Sequence, residues 1–164
     1  MGSAIHQDEV VVVVDILNII DGEAKKFGIV EETVSGPGKS RTRPLRVLLA
    51  EDTAFFRKQI HKFLEKSGFS VTVAVDGLEA FNLIKDKEEV RFDLIVSDIE
   101  MPNMTGYELA RAVRELPRYK EIPMIAVTSK FKQRDREEGE QAGFNRYLEK
   151  LNEEVLLREI HGLI

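Results

Sequence analysis

Glu51-Asp52, Asp98, Thr128-Ser129 and Lys150 are the residues whose types could do chemistry together. Each group follows an apolar or alternating run: Val47-Leu48-Leu49-Ala50, Leu94-Ile95-Val96, Ile122 to Val127, and 144–149. Three carboxylates, a hydroxyl and an ammonium in one place need compensation. Two like unit charges about 4 Å apart repel by roughly 4 kcal/mol at an effective dielectric of about 20. Lys150 supplies one positive charge. A hard divalent ion supplies the rest, and an all-oxygen donor set with open positions suits Mg²⁺, which keeps waters and accepts phosphate oxygens. A carboxylate held beside such an ion and a lysine is a competent nucleophile toward phosphorus.

Alternating strands and helices must bring these residues together. After the first strand, a helix from about Thr53 carries Phe56, Ile60, Phe63 and Leu64 on one face and stops at Gly68. Ser70 to Val75 alternates like an edge strand. Asp76-Gly77-Leu78-Glu79 resembles a capping box opening a helix with Ala80, Phe81 and Ile84 inward. Thr105-Gly106-Tyr107-Glu108 caps a third helix with Leu109, Ala112, Val113 and Leu116 on one face, and Pro117 closes it. A helix at about 130–142 precedes the strand at 144–149, and the last helix starts near Asn152 and buries Leu156, Ile160 and Leu163. Strands separated by helices need crossover connections, so the expected fold is α/β: a doubly wound five-stranded parallel sheet of order 2-1-3-4-5, flavodoxin-like, with helices on both faces. In such sheets ligands bind beyond the carboxyl ends of the strands, where the polar residues above fall.

With those motifs in order, residues 45–164 resemble the receiver domain of two-component response regulators. Asp98-Ile99-Glu100-Met101-Pro102-Asn103-Met104-Thr105-Gly106 meets the family pattern D-x-x-M-P-x-x-x-G in full, flanked by Glu51-Asp52, Thr128-Ser129 and Lys150. The resemblance implies that Asp98 accepts a phosphoryl group from the phosphohistidine domain of a histidine kinase. It implies that Glu51, Asp52, Asp98 and the backbone carbonyl of Glu100 surround Mg²⁺, that Thr128 hydrogen-bonds the phosphoryl group and that Lys150 ion-pairs with it. Tyr147 matches the aromatic switch residue that turns inward on phosphorylation, with output to a signalling protein at the helix 4–strand 5–helix 5 face. Glu100 and Lys130 occupy positions that tune phosphoryl lifetime, and the two are expected to pair across the pocket mouth. One departure stands out: the family's proline after the lysine is Leu151 here, which leaves the isomer of the 150–151 bond open.

Gly143 to Asn152 is similar to receivers fused to CheA-type chemotaxis kinases. Val10 to Ile20 is similar to the end of a CheW-like domain. A CheA-type hybrid kinase is therefore the favoured parent, with a CheV-type CheW–receiver adaptor, or a binding module without turnover, as the alternatives. Met1-Gly2-Ser3 reads as an expression scar on a piece of a longer chain, 4–34 as the CheW-like remnant and 35–44, rich in Gly, Ser, Pro and Arg, as a linker. The β-branched run Val10–Val14 is a possible dimerisation strand.

Composition narrows the classes. The 164 residues carry 24 Lys+Arg against 29 Asp+Glu, a net charge of −5 that argues against nucleic-acid binding by charge. The absence of cysteine rules out thiolate chemistry and fits a cytoplasmic protein. The longest apolar run, 10–20, is too short to insert into a membrane. The Gly38-Lys39-Ser40 string has Thr33 where a phosphate-binding loop needs glycine and no helix signal after it. A haloacid-dehalogenase-type Asp98-Ile99-Glu100 nucleophile would follow the first strand rather than the third. A flavin site would show a Ser/Thr run instead of acids. The helix near 130–142 has no apolar residue from Lys132 to Gln141. It is therefore expected to be the most mobile helix.

Overall fold

The computed structural model describes residues 43–86, 91–129, 132–150 and 152–164, all within one unit, Ser40–Ile164. The expected CheW-like remnant, the 10–14 strand, most of the linker, Lys130 and Leu151 lie outside the described residues. Five strands, β1 (Arg46–Ala50), β2 (Ser70–Ala74), β3 (Leu94–Ser97), β4 (Met124–Thr128) and β5 (Arg146–Glu149), alternate with five helices. These are α1 (Ala54–Lys66), α2 (Gly77–Asp86), α3 (Gly106–Glu115), α4 (Gln133–Ala142) and α5 (Glu153–His161). All strand pairs are parallel and the order is β2-β1-β3-β4-β5, as the alternation predicted.

The strand period of two divides the core. Val47 and Leu49 join Leu94, Val96, Ile125 and Val127 under α1 and α5, while Leu48 and Ala50 join Ile95, Met124 and Ala126 under α2, α3 and α4. β1, β3 and β4 are buried on both faces, which explains their unbroken apolar runs. On α3 Leu109 and Val113 are buried as expected, joined by Gly106 and Ala110, while Ala112 and Leu116 are only partly buried. The helix ends at Glu115, and Leu116 is already extended, so the i, i+3, i+4, i+7 face begins one turn earlier. Phe81 and Leu163 are only partly buried.

The helix ends hold the loops in place. Thr105 and Glu108 form a complete capping box. Asp76 accepts the Glu79 amide at 2.8 Å, but Glu79 reaches the Val75 amide instead of closing the box on Asp76. Asn152 caps α5 by accepting the Val155 amide at 3.1 Å. Gly143, at φ 115°, ends α4 in the left-handed conformation that favours glycine. A Cβ there would also sit 2.7 Å from Arg114 Cγ.

Candidate functional site

Register decides which strand-end residues become neighbours. Ala50 pairs with Ser97, so Glu51 and Asp98 leave adjacent strands side by side, tied by the Asp98 amide donating to the Ala50 carbonyl at 2.8 Å. Thr128 pairs with Glu149, and the Lys150 amide donates to the Thr128 carbonyl at 2.9 Å, which places Lys150 across from the acids. Glu51, Asp52 and Asp98 each offer a carboxylate oxygen, all within 4.8 Å of one another. Glu51 and Asp98 are buried and Asp52 is exposed.

Lys150 closes the cluster from the β5 side. Its ammonium donates to Asp98 Oδ2 at 2.7 Å and to Glu51 Oε1 at 3.0 Å. Its Nζ also lies 4.6 Å from the centre of the Phe56 ring, a cation–π contact that shields it from water. Burial pulls the lysine down, but the hydrogen bonds and charges of Asp98 and Glu51 outweigh it and hold its pKa above the ordinary lysine value. Burial pushes the Glu51 carboxyl up, with repulsion from Asp98 in the same direction, against the hydrogen bond from Lys150. The other acceptor of Asp98, Oδ1, takes the Ile99 amide at 2.7 Å. Both its oxygens are thus aimed by fixed donors.

Glu51 Oε2 is the odd atom. It is buried and accepts no hydrogen bond, although Lys150 Nζ stands 2.9 Å away as an ion-pair partner. Three carboxylates thus share the one Lys150 ammonium, an oxygen donor set with charge to spare for a further cation. The cluster borders a cleft of about 620 Å³ lined by Asp52, Glu100, Met101, Thr105, Thr128 and Tyr147, among others.

Several supports escaped the sequence reading. Arg57 donates to the carbonyls of Glu51 (2.6 Å) and Asp52 (2.9 Å), fixing the loop after β1. Asn103, at φ 62°, donates to Asp76 Oδ2 at 2.6 Å and ties the loop after β3 to the start of α2. Gly106 has no room for a side chain: a Cβ would collide with the Asp98 carbonyl. This is why the motif's last glycine sits where α3 begins. A Cβ on Gly77 would strike the Met104 carbonyl in the same way. The motif glycine was visible in the sequence; the close approach that demands it was not.

The profile of the response regulator receiver domain matches residues 47–161 of this chain. The chain belongs to the response regulator receiver family. It is a receiver domain of two-component signalling, and its relatives include chemotaxis proteins and hybrid histidine kinases. The chain is 31% identical over 154 residues to the sensor histidine kinase CheAY of Helicobacter pylori, covering 91% of this chain and 19% of that protein. It is 29% identical over 167 residues to the chemotaxis protein CheV3 of the same organism, covering 98% of this chain and 53% of that one. The chain therefore spans from about a fifth to about half the length of these two relatives. Among solved structures, the receiver domain of a Pseudomonas aeruginosa sensor histidine kinase, with a magnesium ion coordinated in its active-site cleft, is similar at a TM-score of 0.65 and 31% identity. The match covers 73% of this chain and 97% of that one.

Of the residues expected at this receiver's site, Glu51, Asp52, Asp98 and Lys150 form one cluster, and Glu100 and Thr128 line the adjoining cleft. Tyr147 lines the same cleft. It is buried, 7% exposed, with its hydroxyl 3.2 Å from that of Tyr107. The expected Glu100–Lys130 pairing and the 150–151 bond involve residues outside the described ones.

Proposed function

We propose that Asp98 is the phosphoacceptor of this receiver and takes its phosphoryl group from a phosphohistidine of a histidine kinase. The observation that carries the reading is the held carboxylate. Asp98 is 4% exposed, aimed by Lys150 and the Ile99 amide, and set within 4.8 Å of the carboxylates of Glu51 and Asp52. The oxygen-only donor set of Glu51, Asp52 and Asp98, with the backbone carbonyl of Glu100, fits Mg²⁺. When bound there, that ion would neutralise the carboxylates and the charge that develops on the transferring phosphoryl oxygens.

The chain's own residues do the remainder. Asp98 contributes the attacking oxygen: a P–O bond forms, the P–N bond to the donor imidazole breaks, and the imidazole leaves with the electron pair and takes up a proton. Lys150 moves its ion pair from the carboxylate to the phosphoryl oxygens, and Thr128 donates its hydroxyl proton to one of them. Catalysis is positioning and charge compensation, so no further acid or base is required of the pocket.

The test is phosphorylation by acetyl phosphate. With Mg²⁺ the chain should gain the mass of one phosphoryl group in an acid-labile form, and Asp98→Asn should gain none. Incorporation that survives in Asp98→Asn overturns the assignment.

The parent protein is read as a CheA-type hybrid kinase acting in the cytoplasm. Both chemotaxis matches run beyond the receiver into the N-terminal segment, which supports a CheW-like remnant there. The CheV-type adaptor stands as the second reading because the CheV3 match covers 98% of the chain. A kinase ATP-binding domain encoded upstream of Ser3 selects the first, and its absence selects the second. Output to a partner protein through the α4–β5–α5 face, self-association through 10–14, and the absence of nucleic-acid binding belong to the same reading. Among the described residues no helix is long and apolar enough to cross a membrane.

A further inference from the structure

Tyr147 sits in a seat built by two residues that the phosphoryl chemistry does not use. The first is Gly139 on α4. A Cβ there would lie 2.6 Å from Tyr147 Cδ2 and 3.0 Å from Cε2, so the ring fills the space that any other residue would occupy. This also accounts for α4's poverty in apolar side chains: its buried residues are Gly139 and Ala142, and the apolar body on that face comes from Tyr147.

The second is Tyr107 on α3. Its hydroxyl lies 3.2 Å from the Asp135 carbonyl and 3.2 Å from the Tyr147 hydroxyl. Proton counting fixes the direction. A carbonyl only accepts, so the single Tyr107 proton goes to Asp135. The Tyr147 hydroxyl therefore donates to Tyr107. With that proton committed, the Tyr147 oxygen can act toward any further hydroxyl only as an acceptor. A one-way chain of hydroxyls runs from Tyr147 through Tyr107 to the α4 backbone. Burial among these groups pushes the Tyr147 phenol up, so it keeps the proton that the chain requires.

We infer that Tyr107 and Gly139 hold Tyr147 inward whether or not Asp98 carries a phosphoryl group, so that Tyr107 is a positioning residue for this switch. Thr128 has one proton. Directing that proton to a phosphoryl oxygen leaves the bond to Tyr107 and the glycine notch in place. Phosphorylation in this chain is then accompanied by little travel of the Tyr147 ring. A phosphoryl group shifts the ring's equilibrium only by its different interaction with the two positions, and the two contacts that hold the inward position are made with Tyr107 and Gly139. The "whether or not" rests on Asp98 being the phosphoacceptor; the inward hold in the unmodified protein does not.

The chain has three tyrosines, so ring-¹³C tyrosine labelling yields three assignable ring systems. Broadening by a soluble nitroxide reports their exposure in the full 164-residue chain, with and without beryllofluoride plus Mg²⁺. In the unmodified protein Tyr147 should be protected nearly as well as Tyr119, and beryllofluoride should change its broadening by less than about twofold. Tyr107→Phe keeps the ring and loses the bond, so the inward-to-outward ratio should fall about fivefold. Gly139→Ala should expose Tyr147 further, and Thr128→Val should leave it protected. A Tyr147 that is exposed in the unmodified wild type and protected only by beryllofluoride overturns the inference, as does unchanged protection in Tyr107→Phe. If Gly139→Ala fails to fold by circular dichroism, the Tyr107→Phe and Thr128→Val pair decides. Failure of beryllofluoride to shift the Ile99 amide counts against the phosphoacceptor reading and leaves the unmodified-protein comparison to decide the seat.

Discussion

Asp52→Asn should stabilise the metal-free receiver while weakening its response to Mg²⁺. The Asp52 carboxylate lies within 4.8 Å of those of Glu51 and Asp98. Lys150 bonds the latter two and not Asp52. Asp52 therefore meets two like charges and, among the described residues, its carboxylate makes no ion pair; the Arg57 guanidinium nearby is spent on backbone carbonyls. At 4.8 Å each repulsion is about 3.5 kcal/mol at an effective dielectric of about 20. Asp52 is exposed, so water and salt screen most of this, and a net gain of about 1 kcal/mol is expected on neutralisation. The asparagine carbonyl retains the hydrogen bond that Thr53 Oγ1 gives Asp52 Oδ1 at 3.2 Å, so nothing else is lost. Urea unfolding with a chelator at pH 7 should show a midpoint higher by roughly 0.5 M for a slope near 2 kcal/mol/M. Added salt should narrow the difference. Mg²⁺ at ten times its dissociation constant would stabilise wild type by about 1.4 kcal/mol, and the variant, short of one donor, by less, so the two midpoints should converge or cross. A variant that is destabilised with the chelator present, or that gains as much from Mg²⁺ as wild type, would refute this account of the cluster.

Three further outcomes are open to measurement. The Glu79 amide, then Asn103, hold the Asp76 carboxyl below its ordinary value against the opposing effect of burial. A depressed folded pKa gives stability that is present above the unfolded value near 4 and is lost as pH falls through the folded one. Asp76→Asn should flatten that part of the acid limb in pH-dependent unfolding, and a limb identical to wild type would contradict it. Arg114 donates to the carbonyls of Tyr119, Lys120, Ile122 and Gly143 and to the Asn145 side chain. Lysine cannot reproduce that fork, so Arg114→Lys should cost about 2–3 kcal/mol in denaturant unfolding. A loss under about 0.5 kcal/mol would show the clasp to be redundant. Amide hydrogen exchange across 132–141 should be faster than in α1, because α4 buries only Gly139 and Ala142. Equal protection would show that the Tyr147 packing suffices to anchor it.

The sequence by itself determined the order of elements, the parallel sheet and the chemistry at its edge. Those follow from local causes: apolar runs of strand length, turn residues at their ends, and acids, a hydroxyl and a lysine just beyond them. Periodicity read from one helix could not say which turn of α3 would meet the sheet, because that depends on where the Asp98 carbonyl and the neighbouring helices leave room. The same limit hid the seat of Tyr147. A glycine at 139 in a polar helix looks like a weak point until a ring from β5 is found filling the gap. Tyr107 looks like an ordinary helix residue until its hydroxyl is found 3.2 Å from another one 40 positions away. Close approach and hydrogen-bond direction are properties of atoms brought together across the chain, and only the tertiary structure decides them.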